Sequence, residues 1–231
     1  MLKKFLVTGA FMLALVTWPG RQGTAADPGH DNAEPVPPAA TANVPAGAYT
    51  LDRTHASLIF RVNHLGFSNY TARFKSFDAK LQFDPANLAA SKVAASVDVD
   101  SLETDFPDPA RLDFNAVLKG AAWLDVAQFP RMEFASGHIE VTGVNTLRIH
   151  GNLTLHGVTR PIVLEATFNG GYAGHPMDPN ARIGFSAQAT LKRSEFGIAY
   201  GIPVPGTTMG VSDEVHVAIE AEFTGPPLVP R

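Results

Sequence analysis

The strongest constraint in this chain is a period of two. Val93, Ala95, Val97 and Val99 alternate with Lys92, Ser96, Asp98 and Asp100. Leu147, Ile149, Leu153 and Leu155 alternate with Arg148, His150, Asn152, Thr154 and His156. Ile183, Phe185, Ala187, Ala189 and Leu191 do the same against Arg182, Ser186, Gln188, Thr190 and Lys192, and Val215, Val217, Ile219, Ala221 and Phe223 against Glu214, His216, Glu220 and Glu222. A helix would scatter these apolar residues around its circumference, whereas a strand puts them all on one face. Less regular strands fit near 49–52, 57–64, 70–84, 131–141 and 160–168. The 70–84 segment changes phase between Phe74 and Phe77, which predicts a bulge or bend.

Eight or nine strands with one apolar and one polar face suit an antiparallel sheet that is wet on one side only. A two-sheet sandwich presents the same alternation. Several strands run to roughly 9–13 residues against a typical 5 or 6, which favours a closed barrel that hides both edges. One short helix interrupts. Asp108 is its expected N-cap, Pro109 its first residue and Gly120 its C-cap, with Ala110, Phe114, Val117, Leu118 and Ala121 on one face. The fold class is therefore all-β, an antiparallel eight- to nine-stranded barrel with one short helix.

The ends of the chain read differently. Lys3 and Lys4 precede the uncharged run Phe5 to Trp18, and Thr24-Ala25-Ala26 offers small residues for cleavage. Residues 1–26 thus read as a signal peptide, with an apolar run shorter than the roughly 18 residues of a membrane span. Export is expected, and no stable membrane anchor. Residues 27–47 are a Pro/Ala-rich leader expected to be flexible, 48–224 the barrel domain, and 225–231 a disordered tail. The signal segment carries Lys3, Lys4 and Arg21 and no acid, so its removal takes the formal charge from −4 to −7. A nucleic-acid partner would need the opposite sign. With no cysteine, thiol nucleophiles, disulfide scaffolds, iron–sulfur clusters and Cys-ligated zinc drop out.

In "SLIFRVNHLGF", Leu58, Phe60 and Val62 alternate, and the next residue in phase is His64. Two readings of it stand side by side: a polar contact to a ligand head group, or a buried histidine bonded to nearby backbone. The histidines show no close-spaced metal-ligand set, since His55 precedes its strand and His150 and His156 lie six residues apart on a polar face. No G-x-S-x-G elbow is present. Phe60, Phe77, Phe83, Phe134, Phe168, Phe185 and Phe223 fall at inward positions, interleaved with Ala79, Ala95, Ala187, Ala189 and Gly151. These residues fit a filled core and a lipid tunnel equally. Arg193 and Glu195 flank a turn as a pocket-mouth cation or a surface ion pair. Glu103, Asp105, Asp108 and Asp113 read as a solvated loop and helix cap.

Five blocks in register resemble the YceI-like, polyisoprenoid-binding family: "YTLDRTHASLIFRVNHLGFSNYTARF", "LKGAAWLDVAQFPRMEF", "GNLTLHGVTRPIVLEATF", "RSEFGI" and "VSDEVHVAIEAEF". The resemblance spans Tyr49 to Phe223. It implies a lipocalin-like barrel, periplasmic location and frequent homodimers. It also implies a long-chain isoprenoid or quinone-like lipid as ligand, with no separate cofactor and no catalysis. Laid over the alternation, it implies a ligand site formed by Leu58, Phe60, Val62, His64, Phe77, Leu81, Phe83, Phe134, Phe168, Phe185, Arg193 and Phe196. Two positions depart from the family pattern: Ala72 stands where glycine is usual, and Ala122-Trp123 where an acid and an aromatic are. Two alternatives remain, an enzyme acting on an isoprenoid lipid and a filled structural or stress barrel that binds a protein partner.

Overall fold

In the computed structural model, which describes residues 44–228, ten strands and one helix follow one another. They are β1 (Gly47–His64), β2 (Ser68–Phe74), β3 (Phe77–Phe83), β4 (Lys92–Asp98), β5 (Leu102–Glu103), α1 (Phe114–Lys119), β6 (Arg131–Val141), β7 (Thr146–Leu155), β8 (Val158–Tyr172), β9 (Asn180–Lys192) and β10 (Val211–Pro227). All neighbouring pairs are antiparallel. The order β10-β9-β8-β7-β6-β4-β3-β1 closes on itself through β10–β1, so eight strands form a complete ring. β2 and β5 carry the wall onward where β3 and β4 leave it. No helix among the described residues is long and apolar enough to cross a membrane.

The ring has the expected eight strands, and the total of ten divides the chain differently from the sequence reading at two places. The phase change between Phe74 and Phe77 is a true break: Lys75 donates to the Ser101 carbonyl, and Asp98 donates to that of Ser76. A matching 3-10 turn at Val99–Ser101, capped by the Asp98 carboxylate, separates β4 from β5. Conversely, 49–52 and 57–64 are one strand. Its register slips between Leu51 and Ala56, where Asp52 accepts from both the amide and the hydroxyl of Thr54. This bulge moves the inward phase from Tyr49 and Leu51 to Leu58, Phe60 and Val62. His55 lies inside β1 on that bulge, exposed, rather than before the strand.

The helix is shorter than expected. Asp108 only holds a turn, accepting from the Arg111 amide. Asp113 is the cap, accepting from the Ala116 amide at 2.9 Å, and Gly120 ends the helix. The later start lets Phe114 pack edge-on against Tyr70 across the barrel end.

The ordered domain is also wider than 48–224. Val44 is buried in the core, and β10 continues to Pro227, which pairs with Asn180. The signal segment and most of the leader lie outside the described residues. At Ala72 the strand stays extended and buried, with no bend before Phe74.

One barrel end is sealed. Tyr49, Phe83, Phe168, Ile183 and Phe223 are each no more than 5% exposed there. Phe83, Phe168 and Phe185 meet with ring centroids 5.2–6.3 Å apart. Burial pushes the Tyr49 hydroxyl up to about 12, and it donates to the Pro45 carbonyl. A Cβ on Gly225 would sit 2.0 Å from the Tyr49 ring, so only glycine lets this plug close.

Candidate functional site

Above the aromatic floor the alternating side chains do not fill the ring. They leave a cavity of about 550 Å³, within the roughly 300–1,000 Å³ of small-molecule sites. The reason is steric. Ala79 lies opposite Ala95, Ala166 opposite Ala187, and Ala189 opposite Val217. These small residues face a space that larger ones would fill. Gly151 is not part of that relief: a Cβ there would strike the Phe134 ring at 2.4 Å, so the glycine makes room for the aromatic ring.

The wall runs from the sealed floor, with Leu51, Leu81, Phe83 and Phe223, to the helix-bearing end, with Phe106, Phe114, Leu118 and Trp123. Polar residues on it are His64, Tyr70, Trp123, Glu133 and Arg193 toward the helix end, and Ser91 toward the floor. Several of these are already satisfied. Ser91 Oγ accepts from the Asp84 amide, and the Tyr70 hydroxyl donates to the Thr104 carbonyl. The middle of the tunnel therefore offers a guest almost nothing but dispersion and the hydrophobic effect.

Ten of the twelve expected site residues lie on this wall: Leu58, Phe60, Val62, His64, Phe77, Leu81, Phe83, Phe134, Phe185 and Arg193. Phe168 and Phe196 do not. Both are buried behind it, Phe168 in the floor and Phe196, fully buried, beneath the upper turns. Alternation told inward from outward; it could not tell the first layer from the packing behind it.

His64 is exposed where β1 ends, between Ser68 and Val211, so the reading of a buried, backbone-bonded histidine is not what the fold builds. His156 has left the polar face of its strand. It sits at positive φ in the β7–β8 turn, with Nδ1 3.2 Å from the Phe196 carbonyl.

Arg193 is the largest departure. It is 4% exposed, neither a surface cation nor an ion-pair partner of Glu195. Nε donates to the Ser212 carbonyl at 2.9 Å, Nη1 to those of Ile198 and Tyr200 at 3.0 and 2.8 Å, and Nη2 to that of Val211 at 2.8 Å. Its guanidinium lies over the Trp123 ring, 5.3 Å from the centroid. Burial pulls its pKa down. The planar fork suits this cage of four carbonyls, which joins both ends of the 197–210 loop. Trp123, one of the departures from the family pattern, also meets the Tyr200 ring at 5.2 Å.

The sequence reading missed the helix-end wall: Phe106, Phe114, Leu118, Tyr70 and Trp123. Phe114 and Leu118 are four apart on the helix, a signal that was present but gave no direction. Their support comes from the acids read as a solvated loop. Asn115 accepts from the Thr104 amide and hydroxyl and donates to Glu103. The Asn115 amide, then the Asp105 backbone and Lys75, hold the Glu103 carboxyl down to about 2. That anchor is present above the ordinary carboxylate range and is lost only as pH falls toward the lowered value.

At the outer wall near the floor, Asp52, His55 and Glu222 bring three potential metal-ligand atoms within 4.8 Å, a grouping the histidine spacings did not reveal. Arg182 already pairs with the same Asp52 oxygen that faces His55. The Asp52 carboxyl is held well below its usual range, by Thr54 first and then His55 and Arg182. With Arg182 paired to Asp52 and His55 lying between Asp52 and Glu222, the cluster is an ion-pair network across β1, β9 and β10.

A closed β-barrel whose interior is apolar and unfilled is the architecture that encloses one small hydrophobic molecule. By comparison with known proteins the chain belongs to the YceI-like family, whose domain profile matches residues 49–223. It is 36% identical over 174 residues to a UPF0312 protein of Vibrio cholerae serotype O1, covering 74% of this chain and 86% of the relative. It is 39% identical over 157 residues to a UPF0312 protein of Pseudomonas syringae pv. tomato, covering 66% and 77%. The fold resembles Burkholderia cenocepacia BcnA (TM-score 0.63, 24% identity, 74% of this chain and 98% of that one). It also resembles a Campylobacter jejuni YceI protein (TM-score 0.59, 28% identity, 71% and 90%). A polyisoprenoid binding domain from Saccharophagus degradans shares the fold as well (TM-score 0.57, 17% identity, 77% and 98%).

Proposed function

We propose that this protein is exported and holds a polyisoprenoid, quinone-like or other long-chain lipid inside the barrel, as a carrier or sequestering protein without catalysis. The observation that carries the reading is the unfilled apolar interior of about 550 Å³. Each methylene moved from water into such a space contributes about 0.8 kcal/mol. A long chain is therefore held without a strong polar contact, and the exposed His64 at the mouth is left to meet its head group. The fold shared with a polyisoprenoid binding domain supports the choice of chain chemistry.

The test is organic extraction of protein purified without detergent from its own host, followed by mass spectrometry. A stoichiometric species with isoprene-unit mass spacing supports the reading and identifies the cargo. An empty extract from folded protein that takes up no added prenyl lipid overturns it. In the same sample, a mature chain beginning at Asp27 supports export, and an intact N-terminus counts against it.

A further inference from the structure

The helix-bearing end of the barrel carries a surface that the cavity does not explain. The β1–β2 turn and the 197–210 loop are fastened to each other there. The Leu65 amide donates to the Gly210 carbonyl at 2.9 Å. A Cβ built on Gly66, whose φ is +77°, would lie 3.3 Å from Thr208. The loop is closed on itself by Val211 donating to Gly201 and Thr207 to Val204, and from inside by Arg193. Together they make one firm tip, and its outward side chains are apolar: Phe67 is 85% exposed, Met209 75%, Val204 71% and Tyr200 60%. None of these four lines the cavity. Yet their neighbours His64, Ile198 and Val211 do, so the tip rims the mouth.

Charge is missing from this tip. In a chain that is 17% Asp, Glu, Lys and Arg, no such residue occurs from Gly197 to Gly210 or from Asn63 to Ala72. Exposed apolar clusters mark docking surfaces. A protein partner is usually met by a core with a polar, hydrogen-bonding rim that fixes register. A bilayer needs no such rim and penalises every charge brought into it. We propose that the Phe67–Tyr200–Val204–Met209 tip docks into the surface of a lipid bilayer and holds the cavity mouth against it. The inference rests on the lipid-carrier reading for its purpose: a long isoprenoid has almost no free concentration in water, so it must pass between bilayer and tunnel where the two meet. The floor, sealed by aromatic rings, gives no second entrance.

The experiment uses the mature protein and a Phe67→Ser/Val204→Ser/Met209→Ser variant, with neutral phosphatidylcholine vesicles containing a small fraction of a long-chain prenylquinone. Flotation should carry the natural protein with the vesicles, equally at low and high salt, because no charge pair is involved. The triple variant should bind vesicles at least about tenfold more weakly and lose quinone uptake from them. It should keep uptake when the quinone is delivered from cyclodextrin, which also shows that it is folded. Equal flotation of variant and natural protein would overturn the proposal. So would vesicle binding that disappears at high salt, or a tip that pairs two copies in sedimentation while the natural protein ignores vesicles. Vesicle binding lost in the variant, together with no quinone uptake by either protein from any source, would leave docking standing and sink the carrier reading.

Discussion

Arg193 shows how one residue can decide the shape of a site without facing it as a reactive group. An isolated buried cation is costly, and this one is tolerated because four carbonyls and an aromatic face replace its water. Those carbonyls belong to residues 198, 200, 211 and 212, so the mouth loop is folded around the guanidinium. Arg193→Met keeps an unbranched apolar stem, shorter than arginine's, and removes every donor. The expected outcome is a loss of about 3 kcal/mol or more in urea unfolding, because several carbonyls are left without partners at about 1–3 kcal/mol each. Arg193→Lys should recover only a minor part, since an ammonium cannot span the same fork. Equal stability of Arg193→Met and the natural protein would mean that water replaces the cage at no cost.

At the level of elements, the strands were legible because each is half buried, and half burial is what period-2 alternation records. Even the kink between β2 and β3 was visible as a phase change. Three things were not. The β1 bulge is held by Asp52 and Thr54, whose local bonds leave no mark on hydrophobic periodicity. The late start of α1 came down to two aspartates competing to cap, a contest decided by where Phe114 could pack. The emptiness of the interior was invisible because inward alanines read alike whether they oppose phenylalanines or one another, and that depends on cross-strand register. The register now gives a prediction. Ala187 faces Ala166 and Ile219 across neighbouring strands, so Ala187→Phe places a ring in the cavity. Lipid uptake should fall by about tenfold or more, the equivalent of two displaced methylenes. The melting temperature should hold or rise, since a void is being filled. A sharply lower melting temperature would show that this part of the wall has no spare room.

For the molecule as a whole, the asymmetry of its two ends matters most. The eight-strand ring is stoppered by Tyr49, Phe83, Phe168 and Phe223 and open where β2 and β5 take over from β3 and β4. β9, with 13 residues, gives a wall on the order of 30 Å high at about 3.4 Å per residue and a strand tilt of about 40°. A tube with a fixed bottom is a ruler. Prenyl tails of increasing length should bind more tightly with each unit until they touch the aromatic stopper, and then gain nothing. Titration with a graded series should show that break, and a Phe83→Ala variant should move it to longer tails. An affinity that climbs without limit would mean the stopper yields. On the lipid-carrier reading, the stopper gives the barrel a sense of direction and a standard of length: a guest would enter tail first, with its excess left outside for another molecule to grasp.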